Sequence, residues 1–524
     1  NPEQIFNIIE SKVLDEYGNL THNRKTSPSE WNVHYKELIE KHISQNDHQG
    51  EIPEAIFKIP NKIKQFLVFI KRDVLSKLTN TQYLMINFLE APLLAFILAY
   101  LVRYFNTDVD TTRGYIYREN ENMPAYMFMA VVVALFIGLT VSAEEIIRDR
   151  KIRKRESFLN LSKSSYLWSK IIIMFVLSAI QTLTFVLVGN FVLGVQGMYL
   201  DYWMVLFTTS CFANMLGLNI SSAFNSAVTI YILIPFLIIP QLLLAGVVVK
   251  FDKLNPTLAE QGGVPVAGEV MASRWAFEAL AVNQFKENKY ERYFYRYDKS
   301  MSVAQYKKIY WKQKMEAKLT KIANELSAGK SLSELKSHID LIRNEVDKET
   351  KSNKKVKCSV KPEDITTTTY NKGTEAALRA YLEKVNDYYN KVEIKARRDA
   401  DSITASLIKT PADKEKFLAV QDEYENESLN QLLKNSNHMG ERCLEKDGRL
   451  IQQIDPVFQD PTESKFGRAH FFAPRKNFLG TLYPTYWFNI FVIWIMSITL
   501  MITLYFDVFK RVLDIFGNIK LSRK

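Results

Sequence analysis

The chain is poor in the residues that metal and covalent chemistry require. Three cysteines and seven histidines are spread over 524 residues, and no His and Cys cluster has the spacing of a metal site. No nucleophile and base stand in an arrangement that marks a catalytic centre in the membrane. A phosphate-cradling loop is also missing. Such a loop needs Gly-x-x-x-x-Gly-Lys-Ser/Thr, because glycine N–H groups must approach the phosphates while Lys meets their charge. Gly329-Lys330-Ser331 imitates its end, but position 324 is Asn and the surroundings read as polar helix, so the match is coincidence. The apolar runs lack a pattern of buried charges and broken helices, which disfavours an ion channel or a secondary transporter. The polar stretch ahead of the first run rules out reading that run as a cleaved signal peptide.

What is present falls into two unlike materials. Residues 81–249 and 485–506 have bilayer-like composition, whereas 1–75 and 251–475 are polar and highly charged. A helix needs roughly 20 mainly apolar residues to cross about 30 Å of hydrocarbon. Six stretches qualify: Tyr83 to Tyr104, Met123 to Ala143, Leu167 to Leu193, Tyr202 to Ala223, Ala227 to Val249 and Tyr486 to Phe506. The expected fold class is mainly α, a polytopic membrane protein with six transmembrane helices and a largely helical domain between spans five and six.

Lys and Arg set the orientation, since cytoplasmic flanks carry the excess. The turn after span two holds Arg148, Arg150, Lys151, Arg153, Lys154, Arg155 and Lys163, and the segment before span one holds Lys58, Lys62, Lys64, Lys71, Arg72 and Lys77. The tail adds Lys510, Arg511, Lys520, Arg523 and Lys524, whereas the turn VQGMYLD after span three has no basic residue. Both termini are therefore expected in the cytoplasm, with the long insert outside a cell membrane, an inner one if the source has two. These flanks also account for the formal charge of +11, so nucleic acid is not an expected partner.

Within the insert, Leu378, Leu382, Val385, Tyr389, Val392, Ala396, Ala400, Ile403 and Leu407 recur at spacings of three and four, which predicts a helix over Glu375 to Ile408. Pro411 opens a second helix with Phe417, Gln421, Tyr424 and Leu432 on one side, so an antiparallel hairpin is expected. An earlier helix bearing Met315, Leu319, Ile322 and Leu326 should pack beside it. Such a hairpin is either a structural cap or an arm that meets an external protein. Cys358 and Cys443 both fall in the insert, and in an oxidising compartment they are expected to form one bridge.

Four phrases carry a resemblance. SAEEIIRDRKIRKRESFLNLSKSSYLWSKI, from Ser142, places an acidic pair at a span end, then a charged helix, a polar link and the next span. MASRWAFEALAVNQF spans residues 271–285, FLVFIKRDVLSKLTNTQYLMINFLEAPLLAFI spans 66–97, and NPEQIFNIIE opens the chain. Together they resemble the membrane domain of ABCG-type ABC transporters, over residues 1–290 and the last span. Ser273, Arg274, Trp275, Ala279, Leu280, Asn283 and Phe285 hold that family's return segment, although its usual Pro is absent and Gln284 replaces a Glu.

The resemblance implies an order of domains. Residues 1–60 would close a nucleotide-binding domain, 61–80 form an amphipathic connecting helix, and 81–250 carry spans one to five. A coupling helix would lie at 144–158, a return segment at 251–290, the external domain at 291–475, and span six with a basic tail at 476–524. Glu144, Glu145, Arg148, Arg150, Lys151, Arg155 and Glu156 become the coupling residues. Glu145 either relays motion between spans two and three or is a hydrated cap at the membrane surface. Spans two and five would meet a second copy across a twofold axis, nominating Phe128, Leu135, Phe136, Pro240, Gln241 and Leu244 for the cargo route and Val247 and Val248 for its apolar valve. No Leu-Ser-Gly-Gly signature occurs, so the ATPase domain, with ATP and Mg, is expected upstream or on a separate chain, and this segment itself would bind no cofactor. The function so implied is a homodimeric half-transporter exporting a lipid-like or amphipathic molecule. The other reading is a mechanical transmitter acting on an external partner through the insert.

Overall fold

A computed structural model describes residues 2–43, 60–104, 114–156, 159, 161–259, 262–437, 440–461 and 466–518. The chain divides into two compact units, 1–60 and 61–524. In the first, α1 (Pro2–Ile9) precedes a hairpin of β1 (Lys12–Leu14) and β2 (Leu20–Arg24), then α2 (Pro28–Tyr35), a π-helical stretch (Lys36–Glu40) and α3 (Lys41–Ile43). Ser27 and Glu30 form a reciprocal capping box at the start of α2. No side chain over residues 3–42 is buried, and Ile5, Phe6, Ile8 and Trp31 are exposed.

The second unit starts with α4 (Lys62–Leu78), followed by α5 (Thr81–Val102), α6 (Met123–Ala143), α7 (Glu145–Arg155), α8 (Lys163–Leu193), α9 (Tyr199–Ala223) and α10 (Ala227–Leu243). After a short turn α11 (Val266–Glu269), α12 (Ala272–Glu287) runs back into the core. The contact between α6 and α9 is made close by small residues. A Cβ on Gly138 would lie 2.6 Å from the Ser210 carbonyl oxygen, and one on Gly217 would lie 2.0 Å from Ser142 Oγ. Helices in lipid gain little from hydrophobic exclusion, so close backbone approach of this kind is what packing there requires.

Among the described residues, five helices are long and apolar enough to cross a membrane: α5, α6 running on through α7, α8, α9 and the later α19 (Thr485–Tyr505). The expected fifth span is corrected. The apolar sequence runs to Val249, but α10 stops at Leu243 after 17 residues, and the chain goes on in turns. Pro235 and Pro240 inside α10 each remove a backbone donor from the ladder.

The insert is helical. α13 (Tyr295–Gln305) passes through a π-helical stretch (Tyr306–Trp311) into α14 (Lys312–Ser327), followed by α15 (Lys336–Ser352), α16 (Lys372–Leu407), α17 (Pro411–Tyr424) and α18 (Glu427–Lys434). α16 has 36 residues and about 54 Å of length. Its long partner is the α13–α14 rod. Lys308 pairs with Glu393 and Lys312 with Glu383, an antiparallel register, and Met315, Leu319 and Ile322 share a core with Leu378, Leu382 and Val385. The expected α16–α17 hairpin is thus replaced. α17 buries no side chain of its own and lies instead against the turn Tyr117–Glu119 between α5 and α6.

Two antiparallel hairpins complete the chain, β3 (Cys443–Lys446) with β4 (Arg449–Gln452) and β5 (Arg475–Phe478) with β6 (Thr481–Pro484). The latter leads into α19, and α20 (Val508–Asn518) comes after it. The expected bridge between Cys358 and Cys443 is not formed, since both thiols are free. The two face different neighbours: Cys443 meets the Tyr306 hydroxyl at 3.3 Å, whereas Cys358 lies near Lys384 and Tyr381.

Candidate functional site: a buried ion network at the turn after α6

α7 continues α6 after one break at Glu144, and its sequence EIIRDRKIRKR fits a helix dipole. Glu145 occupies the first turn and Arg153, Lys154 and Arg155 the last. The N–H groups of a first turn have no partner within their helix. Here Ser221 of α9 supplies one, accepting from Ile146 N–H at 3.0 Å and Ile147 N–H at 3.1 Å. In exchange, Arg150 donates to the Ser222 and Phe224 carbonyls at the end of α9, at 3.2 and 3.0 Å, and also meets Asn225. Each helix end therefore caps the other.

The centre of the site is Glu145, which is 2% exposed. It accepts from Lys77 of α4 at 2.8 Å, from Lys170 of α8 at 3.0 Å and from Arg148 at 3.2 Å. Lys170, equally buried, reaches Asp73 and Asp149 at 2.8 Å each. Lys77 also meets Asp73 at 3.2 Å, and Tyr166 donates to Asp149 at 3.1 Å. Three carboxylates, Asp73, Glu145 and Asp149, thus face three cations, Lys77, Arg148 and Lys170. Buried charges are tolerable only when balanced in this way. Burial works against ionisation of Asp73, but Lys170 and Lys77 win and hold its carboxyl below the usual range. Arg148 is only partly buried and closes the network on its solvent side.

The coupling residues named from sequence separate into three groups. Glu145, Arg148 and Arg150 are bound into the site. Glu156 pairs with Arg72 of α4 at 2.9 Å, and Glu144 faces Tyr231 of α10. Lys151 and Arg155 lie on the exposed side of α7. Sequence reasoning did not single out Asp73, Asp149, Lys170 or Ser221, and it read Lys77 only as a flanking charge. A signal existed for Lys170, a lone cation inside an apolar span.

The nominated cargo-route residues also divide. Phe128 and Leu135 are buried in the subunit's own core, with Phe128 edge-on to Phe277 at 5.7 Å. Phe136 and Val248 are exposed, whereas Pro240, Leu244 and Val247 are partly covered. Gln241 is held by Ser273, whose N–H and hydroxyl donate to its side chain and carbonyl at 3.0 and 2.6 Å.

A second ion network lies at α12. Glu278 is fully buried and accepts from Arg274 at 2.8 Å, Lys476 of β5 at 2.7 Å, Asn489 of α19 at 3.0 Å and the Phe472 N–H at 3.0 Å. Arg274 also binds Glu269 and lies over the Trp275 ring. Nearby, Arg118 in the α5–α6 connection pairs with Glu427 at 2.9 Å and, more loosely, with Asp422 and Glu425. Asn426 donates to the carbonyls of Tyr117 and Asn120 at 2.9 Å each, so the insert is latched to the segment that opens α6.

Residues 64–285 match the family described as ABC-2 type transporter, and this stretch contains α4 to α12 almost in full, including the ion network of α7. No curated protein matches the chain. ABC-2 permeases generally work with an ATPase partner and often dimerise. The matched membrane domain and the apolar helices together support a multi-pass, transmembrane permease component of an ABC transporter.

Proposed function

We propose that this chain is the membrane half of an ATP-driven exporter of ABCG type, working as a homodimer on lipid-like or amphipathic molecules. The observation that carries the reading is the anchoring of α7. Its inner face is fixed to α4, α8 and α9 by balanced ions and mutual caps, while Lys151 and Arg155 stay exposed for a partner surface. A push on α7 would move three helices together. ATP and Mg would sit on an associated ATPase domain, and the exposed apolar side chains over residues 3–42 suit burial against such a domain. An exposed stripe on α10, with Ile232, Phe236, Ile239 and Leu243, suits contact with a second copy. Both termini would be cytoplasmic.

One observation favours the transmitter reading. α6 and α7 follow each other over 33 residues with one break at Glu144, and they have the ion network at one end and, at the other, the latch in which Arg118 pairs with Glu427 and Asn426 holds the Tyr117 carbonyl. The test uses the full protein with its ATPase in proteoliposomes. Translocation of a fluorescent phospholipid and the ATP-driven change in a spin-label distance between insert and membrane domain are measured in wild type and Arg118→Glu. Export predicts ATP-dependent translocation that survives the substitution. Absent translocation, with a distance change lost in Arg118→Glu, would replace export by transmission.

A further inference from the structure

The cleft between the start of α8 and the end of α19 takes no part in either ion network or in the latch. It has a volume of about 140 Å³ and an apolar wall that includes Leu167, Trp168, Ile171, Met501, Leu504 and Tyr505. Trp168 and Tyr505 are each 47% exposed, and both stand near span ends, where amphipathic rings mark the membrane boundary. Lys163 and Asp507, next in sequence to the lining residues Ser164 and Phe506, form an ion pair, and Lys163 Nζ lies 5.9 Å from the centre of the Tyr505 ring.

Asp507 also directs the chain beyond the cleft. Its left-handed conformation, φ 52°, ends α19 and turns the backbone into α20. Asp is among the few residues that adopt this conformation at low cost. On α20, Val508, Val512 and Ile515 are exposed apolar side chains, and Lys510 and Arg511 are exposed cations. This is the pattern of a helix lying in the interface plane. Lys163 is neutralised by Asp507, whereas Lys510 and Arg511 share one carboxylate on α20, Asp514, which lies four and three residues further on. One turn from the cleft-lining Phe506, two cations against one carboxylate thus leave one positive charge in excess at the membrane boundary.

We propose that this cleft binds one anionic glycerophospholipid from the leaflet on the α7 side, with an acyl chain against Trp168 and Tyr505 and the headgroup phosphate at Lys510 and Arg511. A zwitterionic lipid fills the apolar wall equally well but leaves the excess positive charge unmatched. The selectivity therefore lies in the headgroup. Each cation near an anionic surface favours it on the order of fivefold.

The test measures quenching of tryptophan fluorescence in the full protein reconstituted with brominated phosphatidylglycerol or brominated phosphatidylcholine at equal mole fraction. The Trp168 signal is taken as the difference between wild type and Trp168→Phe. Trp487, exposed near the opposite end of α19, is isolated in the same way with Trp487→Phe. The expected result is a several-fold preference for the anionic lipid at Trp168, none at Trp487, and loss of the preference in Lys510→Gln/Arg511→Gln, which changes only exposed side chains. Equal quenching by both lipids at Trp168, an equal preference at Trp487, or a preference that survives the double substitution would each overturn the proposal.

Discussion

Two buried ion networks lie in the membrane domain, and they are built to different ends. The network of α12 joins Arg274 and Glu278 to Lys476 and Asn489, and Glu278 receives four donors in a site closed to solvent. The network of α7 has a closed centre at Glu145 and Lys170 but an open edge, where Arg148 and the Arg72–Glu156 pair reach solvent. The first holds a returning helix, a hairpin and a span as one block. The second ties α4, α7 and α8 through long, separately mounted side chains that can shift partners without leaving a charge alone. Asp73, Glu145 and Asp149 share Lys170, so small movements redistribute its contacts.

This contrast is broken most severely at Glu278. Glu278→Ala strands Lys476 and Arg274 in a buried site, and removing one partner of such a pair costs about 3–5 kcal/mol. The expected outcome is loss of folded protein, read by size-exclusion chromatography after mild heating. At the α7 network Lys170→Met should cost less in stability, because Lys77, Arg148 and Tyr166 still hold its three carboxylates, while uncoupling the protein. Ser221→Ala leaves two N–H groups of α7 without their acceptor, worth about 1–3 kcal/mol by thermal unfolding. At the latch, Arg118→Ala removes partly exposed ion pairs and should cost about 0.2–1 kcal/mol, so any larger functional defect would be mechanical.

A smaller effect is set by pH outside the membrane. Burial, with help from Asp298 and Glu425 and against Lys434, pushes the Glu291 carboxyl up to about 8. Its unfolded value is about 4.3. The folded form therefore holds the extra proton between these limits, and this contribution to stability is present below pH of about 4.3 and is lost as pH rises through about 8. Thermal unfolding of wild type should show that decline, and Glu291→Gln should flatten it.

Periodicity made the long elements legible. The stripe from Leu378 to Leu407 predicted α16 to within three residues at its start and one at its end, since a sustained repeat has only one way to bury itself. Apolar composition was a poorer guide at α10, because it does not distinguish helix from the turns after Leu243. In the site, Glu145 stood out as a carboxylate at a span end. Its partners did not, because Lys77 is 68 residues away and the Lys170–Asp73 bond joins positions 97 apart. Pairing at that distance is fixed by how α4 packs on α8, which no local pattern encodes. The cysteines failed for the same reason: two thiols in one domain need to meet, and only the packing decides it.

The central claim is that the α7 network transmits ATP-driven motion to the membrane helices. It is tested most directly by the ratio of phospholipid translocated to ATP hydrolysed, measured in proteoliposomes with the associated ATPase, for wild type, Lys170→Arg and Lys170→Met. The account predicts that Lys170→Met keeps ATP hydrolysis but lowers the ratio by about tenfold or more, equivalent to about 1.4 kcal/mol of lost coupling, while Lys170→Arg retains part of it. A ratio unchanged in Lys170→Met, in protein that remains folded, would contradict it.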